Sequence, residues 1–245
     1  MEPSRHYCRR LRIDLNDQLY VLDTLDARVL RFNLNDLATL PAPLNGTTIL
    51  SFFDDECMSM YLNKQTGDVY VCEQFNARTV LWKQGNSRDY VVVAGGNGYG
   101  SNQNQFNQPS GVYVDERTLT VYIADTYNNR IQKWLENSTT GITVAGIEDT
   151  SSGTQTNRLK YPMSGLIVDR EGNLYISDTN NQRIQQRLVN ATEGRTMVGS
   201  EDGIGSADSN KLNRPKGIRF DWQYSLYVTD SGNNRVQKFN LIDNG

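Results

Sequence analysis

Five times along the chain an acid is followed five positions later by an arginine: Asp23 and Arg28, Glu73 and Arg78, Asp125 and Arg130, Asp178 and Arg183, Asp230 and Arg235. A carboxylate and a guanidinium so placed can form a charge-assisted pair. Such pairs could make a ring of ligand contacts, or they could hold turn backbone and a neighbouring repeat. A feature copied into every repeat describes the scaffold, so the pairs are read as structural. A second set of acids, Asp14, Asp115, Asp169 and Asp221, closes short apolar runs. Gathered round an axis, such carboxylates could hold a hard cation, calcium by preference. The ordinary role of aspartate at such a place is to cap turn amides. Asp115, Asp169 and Asp221 are the candidate metal ligands, and no other cofactor is expected.

Other chemistry is poorly supplied. The chain has one histidine, His6, so a Ser-His-Asp arrangement cannot be assembled. The glycine-rich loops Gly95–Gly100 and Glu201–Gly205 lead into strands, whereas a phosphate cradle needs a following helix. Cys8, Cys57 and Cys72 are too few for a disulfide framework, and Cys57 and Cys72 read as buried thiols. Sequons at Asn45, Asn137 and Asn190 are no more than this composition gives by chance.

The elements that must position these residues emerge from self-similarity. LYVLDTLDARVLRF, VYVCEQFNARTVLW, VYIADTYNNRIQKW, LYISDTNNQRIQQR and LYVTDSGNNRVQKF begin at Leu19, Val69, Val121, Leu174 and Leu226. The acids they carry are offset by 50, 52, 53 and 52 residues. Within the third copy, Gly111–Asp115 and Val121–Ala124 are β-branched and aromatic, as strands should be. Arg130–Trp134 alternates apolar and polar, and Gly141–Gly146 supplies a fourth strand. No segment has an apolar 3.6-residue period. The chain is therefore expected to be all-β, a propeller of about five four-stranded blades. The blades span approximately 11–53, 54–96, 97–147, 148–200 and 201–245, after an extension over 1–10. The last copy ends without an outer strand of its own, which points to a partial ring with an unpaired edge; a closed five-bladed ring is the alternative.

Ahead of the later innermost strands stand Phe106-Asn-Gln-Pro109-Ser-Gly111, Leu159-Lys-Tyr-Pro162-Met-Ser-Gly165 and Leu212-Asn-Arg-Pro215-Lys-Gly217. Proline fixes φ there, and glycine permits close approach near the axis. Pro-x-Gly-(apolar)-x-(apolar)-Asp followed by Leu/Val-Tyr-(apolar)-x-Asp-x-x-Asn-x-Arg-(apolar)-Gln resembles the NHL-repeat family of propellers. The resemblance runs from about Leu11 to the end. Copies three to five carry it closely, while copies one and two lack the proline and glycine. It implies a propeller and leaves function open. Some similar propellers are lyases with a histidine-held metal, a site that one histidine cannot make. A carboxylate-based, cation-dependent hydrolase or lyase is the enzymatic alternative.

Departures from the repeat are better pointers to function. Two positions after each acid stand Leu25, Phe75, Tyr127, Asn180 and Gly232, so the first three blades offer large apolar groups on one rim. Leu25, Phe75 and Tyr127 are the candidate partner-binding residues; the competing reading has them filling gaps between blades. The leading function is a non-catalytic interaction module whose rim meets a protein or an extended ligand. A net charge of −3 argues against nucleic acid, leaving RNA binding as a third reading. No run approaches the ~18 apolar residues of a membrane span, so membrane insertion is not expected. The first eleven residues lack the apolar core of a secretory leader; the chain is held inside the cell or belongs to a longer one.

Overall fold

The computed structural model describes residues 8–24, 26–35, 46–51, 57–85 and 90–240. Five antiparallel sheets follow one another in chain order, one per repeat. The first holds β1 (Cys8–Ile13), β2 (Gln18–Asp23), β3 (Arg28–Asn33) and β4 (Thr47–Ser51). The second holds β5 (Cys57–Leu62), β6 (Val69–Glu73), β7 (Arg78–Trp82) and β8 (Tyr90–Gly95). The third holds β9 (Gly111–Asp115), β10 (Thr120–Asp125), β11 (Arg130–Trp134) and β12 (Ile142–Ala145). The fourth holds β13 (Leu166–Val168), β14 (Leu174–Asp178), β15 (Arg183–Arg187) and β16 (Arg195–Gly199). The fifth, among the described residues, has β17 (Pro215–Phe220), β18 (Ser225–Asp230) and β19 (Arg235–Asn240). This is a five-bladed β-propeller, and β1 starts three residues before the boundary expected at Leu11.

Each acid is paired in register with its arginine at the top of the second and third strands, Asp125 opposite Arg130 and Asp178 opposite Arg183. The turn between them is closed by a left-handed residue, Ala27, Ala77, Asn129, Gln182 or Asn234. Asparagine suits that conformation; alanine and glutamine carry a Cβ penalty there. Between the third and fourth strands a register shift recurs at Val29/Leu30, Thr79/Val80, Ile131/Gln132 and Ile184/Gln185. Such bulges add local twist, which lets the sheets lean like the blades of a fan.

The core is a series of layers between successive blades. Tyr20, Leu22 and Val29 pack on Met60, Val69 and Val71 of the second blade. Ala124, Ile131 and Ala145 pack on Leu166, Leu174 and Ile176 of the fourth. Close approach at the axis needs glycine: a Cβ on Gly165 would strike the Lys216 carbonyl oxygen and the Ser177 hydroxyl. Six positions after the acid, Val29, Thr79, Ile131 and Ile184 are fully buried by the next blade. Val236 holds that position in the fifth blade and is 66% exposed. On the other side of the seam Leu11, Ile13 and Leu15 are exposed. The faces of blades five and one are thus not pressed together as the other four pairs are. No helix among the described residues is long and apolar enough to cross a membrane.

Candidate functional site

Each acid–arginine pair is the hub of a network that fastens the loop arriving from the previous blade. In the third blade Arg130 donates from Nε to Asp125 (2.7 Å), from Nη1 to the Ser101 carbonyl (2.7 Å), and from Nη2 to the Asn102 and Gln105 carbonyls (3.0 Å each). Asp125 also accepts from the Asn107 amide and from Asn128 Nδ2. The fourth blade repeats this with Arg183, Asp178, the Lys160 amide and Asn181, and the fifth with Arg235, Asp230, the Asn213 amide and Asn233. One residue past the acid, Thr126 and Thr179 donate to the carbonyls of Pro162 and Pro215 in the next blade. Among the described residues the first two blades keep the pair, and Asn76 donates to Glu73 as Asn128 does to Asp125. Asp23 meets Arg28 at 3.2 Å, and Arg28 also reaches Asp26. Glu73 meets Arg78 at 2.5 Å, with Tyr90 bonded to that arginine and its ring beneath it.

Burial grades these carboxylates. It pushes Asp125 and Asp178 up to about 6, against the pull of their arginines and of the donors around them. Asp230 has the same kinds of donor and is itself out of contact with solvent, but its partner Arg235 is about a third exposed. There burial still acts upward, and the hydrogen bonds from Asn233, the Asn213 amide and Arg235 outweigh it, so its pKa is lowered.

The aspartates that close the innermost strands are occupied with turn amides. Asp169 accepts from the Asn173 amide and Nδ2 and from the Tyr175 hydroxyl. Asp221 accepts from the amides of Gln223 and Ser225, and Asp14 from those of Asn16 and Gln18. Asp115 is clamped by Arg117 at 3.1 Å. The fold does not bring Asp115, Asp169 and Asp221 together. Among the described residues no three histidine, cysteine or carboxylate side chains are grouped to hold a metal.

Of the rim candidates, Phe75 and Tyr127 occupy matching turns on adjacent blades and are 48% and 47% exposed. The Tyr127 ring stands edge-on to Tyr161, centroids 5.0 Å apart. Leu25 lies outside the described residues. Next to Phe75 in sequence, Gln74 donates to Gln108 in the loop that leads to the third blade.

The channel opens into a cavity of about 770 Å³ lined by the innermost strands of all five blades and, in the gap between blades five and one, by Leu19, Tyr227, Thr229 and Val236. Its side chains were not singled out from the sequence. Two residues before each turn-capping position stand Arg12, Tyr61, Tyr113, Ile167 and Arg219, one per blade, and all five line the cavity. Lys64 and Glu116 join them. Arg10 crosses the channel to the Ser164 carbonyl of the fourth blade (3.0 Å). A charge on an innermost strand looks like any solvated charge until the repeats are aligned in phase. Alignment is the signal that would have exposed this layer.

The NHL repeat family matches residues 106–134 and 212–239, in the third and fifth blades of this five-bladed propeller. The chain is similar in fold to an auxiliary nutrient binding protein from Bacteroides thetaiotaomicron (TM-score 0.72, 13% identity), covering 94% of this chain and 58% of that one. It is similar also to a catalytically inactive virginiamycin B lyase from Staphylococcus aureus solved with quinupristin (TM-score 0.61, 14% identity; 99% of this chain, 73% of that one). A chain in a nidogen/laminin complex matches with TM-score 0.60 and 16% identity (88% and 71%). The chain spans less than two thirds of the Bacteroides protein, and at these identities the likeness is one of architecture.

Proposed function

We propose that this propeller is a non-catalytic interaction module whose partner, a protein or an extended ligand, lies across the rim carrying Phe75 and Tyr127. The observation that carries the reading is the pairing of half-exposed aromatic rings at homologous turns of neighbouring blades, where blades four and five have Asn180 and Gly232. Exposed rings on a rigid support lose little entropy on binding and supply large contact area. The turn carrying Tyr127 is fastened through Asp125, which accepts from Arg130, Asn128 and the Asn107 amide. That similar folds are named for nutrient binding and for a protein complex is in keeping with a binding role. The hydrolase or lyase alternative needs carboxylates that converge, and the turn aspartates are dispersed one to a blade.

The test is a screen of peptide and glycan arrays with the whole chain and with Phe75→Ser/Tyr127→Ser. Ligands retained by the wild type and lost by the double variant, at unchanged melting temperature, support the rim. A large loss of thermal stability in the variant would instead make the two rings gap fillers. Equal retention by both proteins places the interface elsewhere.

A further inference from the structure

Outside the rim, the channel carries a separate feature that the interaction reading does not use. Its cavity is cationic in a chain of net charge −3: Arg12, Lys64 and Arg219 line it together with Arg10, against the single carboxylate of Glu116. Glu116 is already engaged, accepting from the Tyr61 hydroxyl at 2.9 Å. Arg12 bonds within its own strand, to the Leu11 carbonyl. Burial first, and then the charge of Arg219, lower the pKa of Arg12, so the half-buried Arg12 feels the exposed Arg219 across the cavity. Like charges so placed cost free energy that an anion between them would recover. Beside them Tyr61 and Tyr113 stand edge to face, centroids 5.3 Å apart, and form an apolar wall with hydroxyl tips.

The symmetry of the fold sharpens the argument. In the layer two residues before the turn caps, a purely structural position would hold one residue type round the ring. It holds arginine in blades one and five and tyrosine in blades two and three. We propose that this end of the channel binds a small oxyanion-bearing ligand, a carboxylate or a phosphate ester, with its charged group between Arg12 and Arg219 and its body against Tyr61 and Tyr113. Lys64, exposed at the mouth, draws the anion in, and the planar fork of each guanidinium can donate paired hydrogen bonds to the oxygens of either group.

The experiment is isothermal titration of the whole chain at low salt with three probes: inorganic phosphate, citrate and phenyl phosphate. At least one is expected to bind with a dissociation constant at or below roughly 1 mM. Preference for citrate or for phenyl phosphate tells carboxylate from phosphate ester. Arg12→Gln and Arg219→Gln should each weaken that probe by about tenfold or more. Lys83→Gln, which removes an exposed charge after the third strand of the second blade and outside the cavity lining, should leave binding unchanged. Because the arginine variants relieve repulsion, they should melt no lower than the wild type, so lost binding is not lost folding. Failure of all three probes to bind, or equal binding by the arginine variants, overturns the proposal. So does a single-stranded RNA oligonucleotide that binds tighter than every small probe and loses affinity on Arg12→Gln. Arg12 and Arg219 are remote in sequence from Phe75 and Tyr127, so the two proposals fail independently.

Discussion

Arg130 and Arg235 offer the same chemistry at different depths, and truncating each to alanine separates burial from bonding. Each donates Nε to its aspartate at 2.7 Å, Nη1 to one loop carbonyl and Nη2 to two more. The Arg130 side chain is 2% exposed and that of Arg235 31%. Removing Arg130 strands Asp125 and three loop carbonyls where water enters poorly, the situation that costs about 3–5 kcal/mol when one partner of a buried ion pair is lost. Removing Arg235 leaves groups that water can rehydrate, so the loss should be nearer the net worth of a hydrogen-bonded surface pair, about 1–2 kcal/mol. At about 2–4 °C per kcal/mol for a chain of this length, Arg130→Ala should melt roughly 6–20 °C lower and Arg235→Ala roughly 2–8 °C lower. Urea denaturation followed by tryptophan fluorescence measures both. Equal losses, or a larger one for Arg235→Ala, would refute the claim that depth rather than bond count sets the cost.

The exposed face of blade five gives a matched pair in the apolar core: Ile184→Ala should cost about 2–5 kcal/mol and Val236→Ala less than about 0.5, by chemical denaturation. A carbon-13 carboxyl titration should find Asp125 and Asp178 titrating near 6 and Asp230 below the ordinary carboxylate range. For the first two the folded pKa is the higher, so their contribution to stability is complete below the unfolded value and is lost as pH rises through about 6; for Asp230 it is present above the unfolded value and lost as pH falls through the folded one. An Asp230 that titrates with or above Asp125 refutes that order. Since the oxygens of Asp169 already accept three hydrogen bonds, millimolar calcium should move the wild-type melting temperature by less than about 1 °C, whereas Asp169→Ala alone should lower it. A calcium-dependent rise abolished by Asp115→Asn would restore the cation-dependent reading.

What could be read in advance followed the repeat. Alternation of apolar residues, turn residues at fixed offsets and a fifty-residue phase all act locally, so the strands of copies three to five were visible in the letters. The acid and arginine were visible because both must return in every blade to fasten an incoming loop. Their depth was not. Asp125-Thr-Tyr-Asn-Asn-Arg130 and Asp230-Ser-Gly-Asn-Asn-Arg235 are near copies, yet a neighbouring sheet covers one and solvent reaches the other. The placing of Arg12 beside Arg219 was hidden for a related reason: they lie at opposite ends of the chain, and only the ring brings them to one cavity. The aspartates of the inner turns illustrate the converse. A carboxylate next to an axis need not face it, and Asp169 points its oxygens at its own hairpin.

The bond from Arg10 to the Ser164 carbonyl joins residues 154 apart in sequence, and the same guanidinium lies beside Gly217 of the fifth blade. Most other contacts of this chain are within a hairpin or between consecutive sheets and can form as soon as their own segments exist. This chord cannot form until the blades between its ends are stacked, and the entropy of closing so long a loop delays it further. During assembly it is therefore a late event, a clasp that registers when the earlier sheets have reached their places.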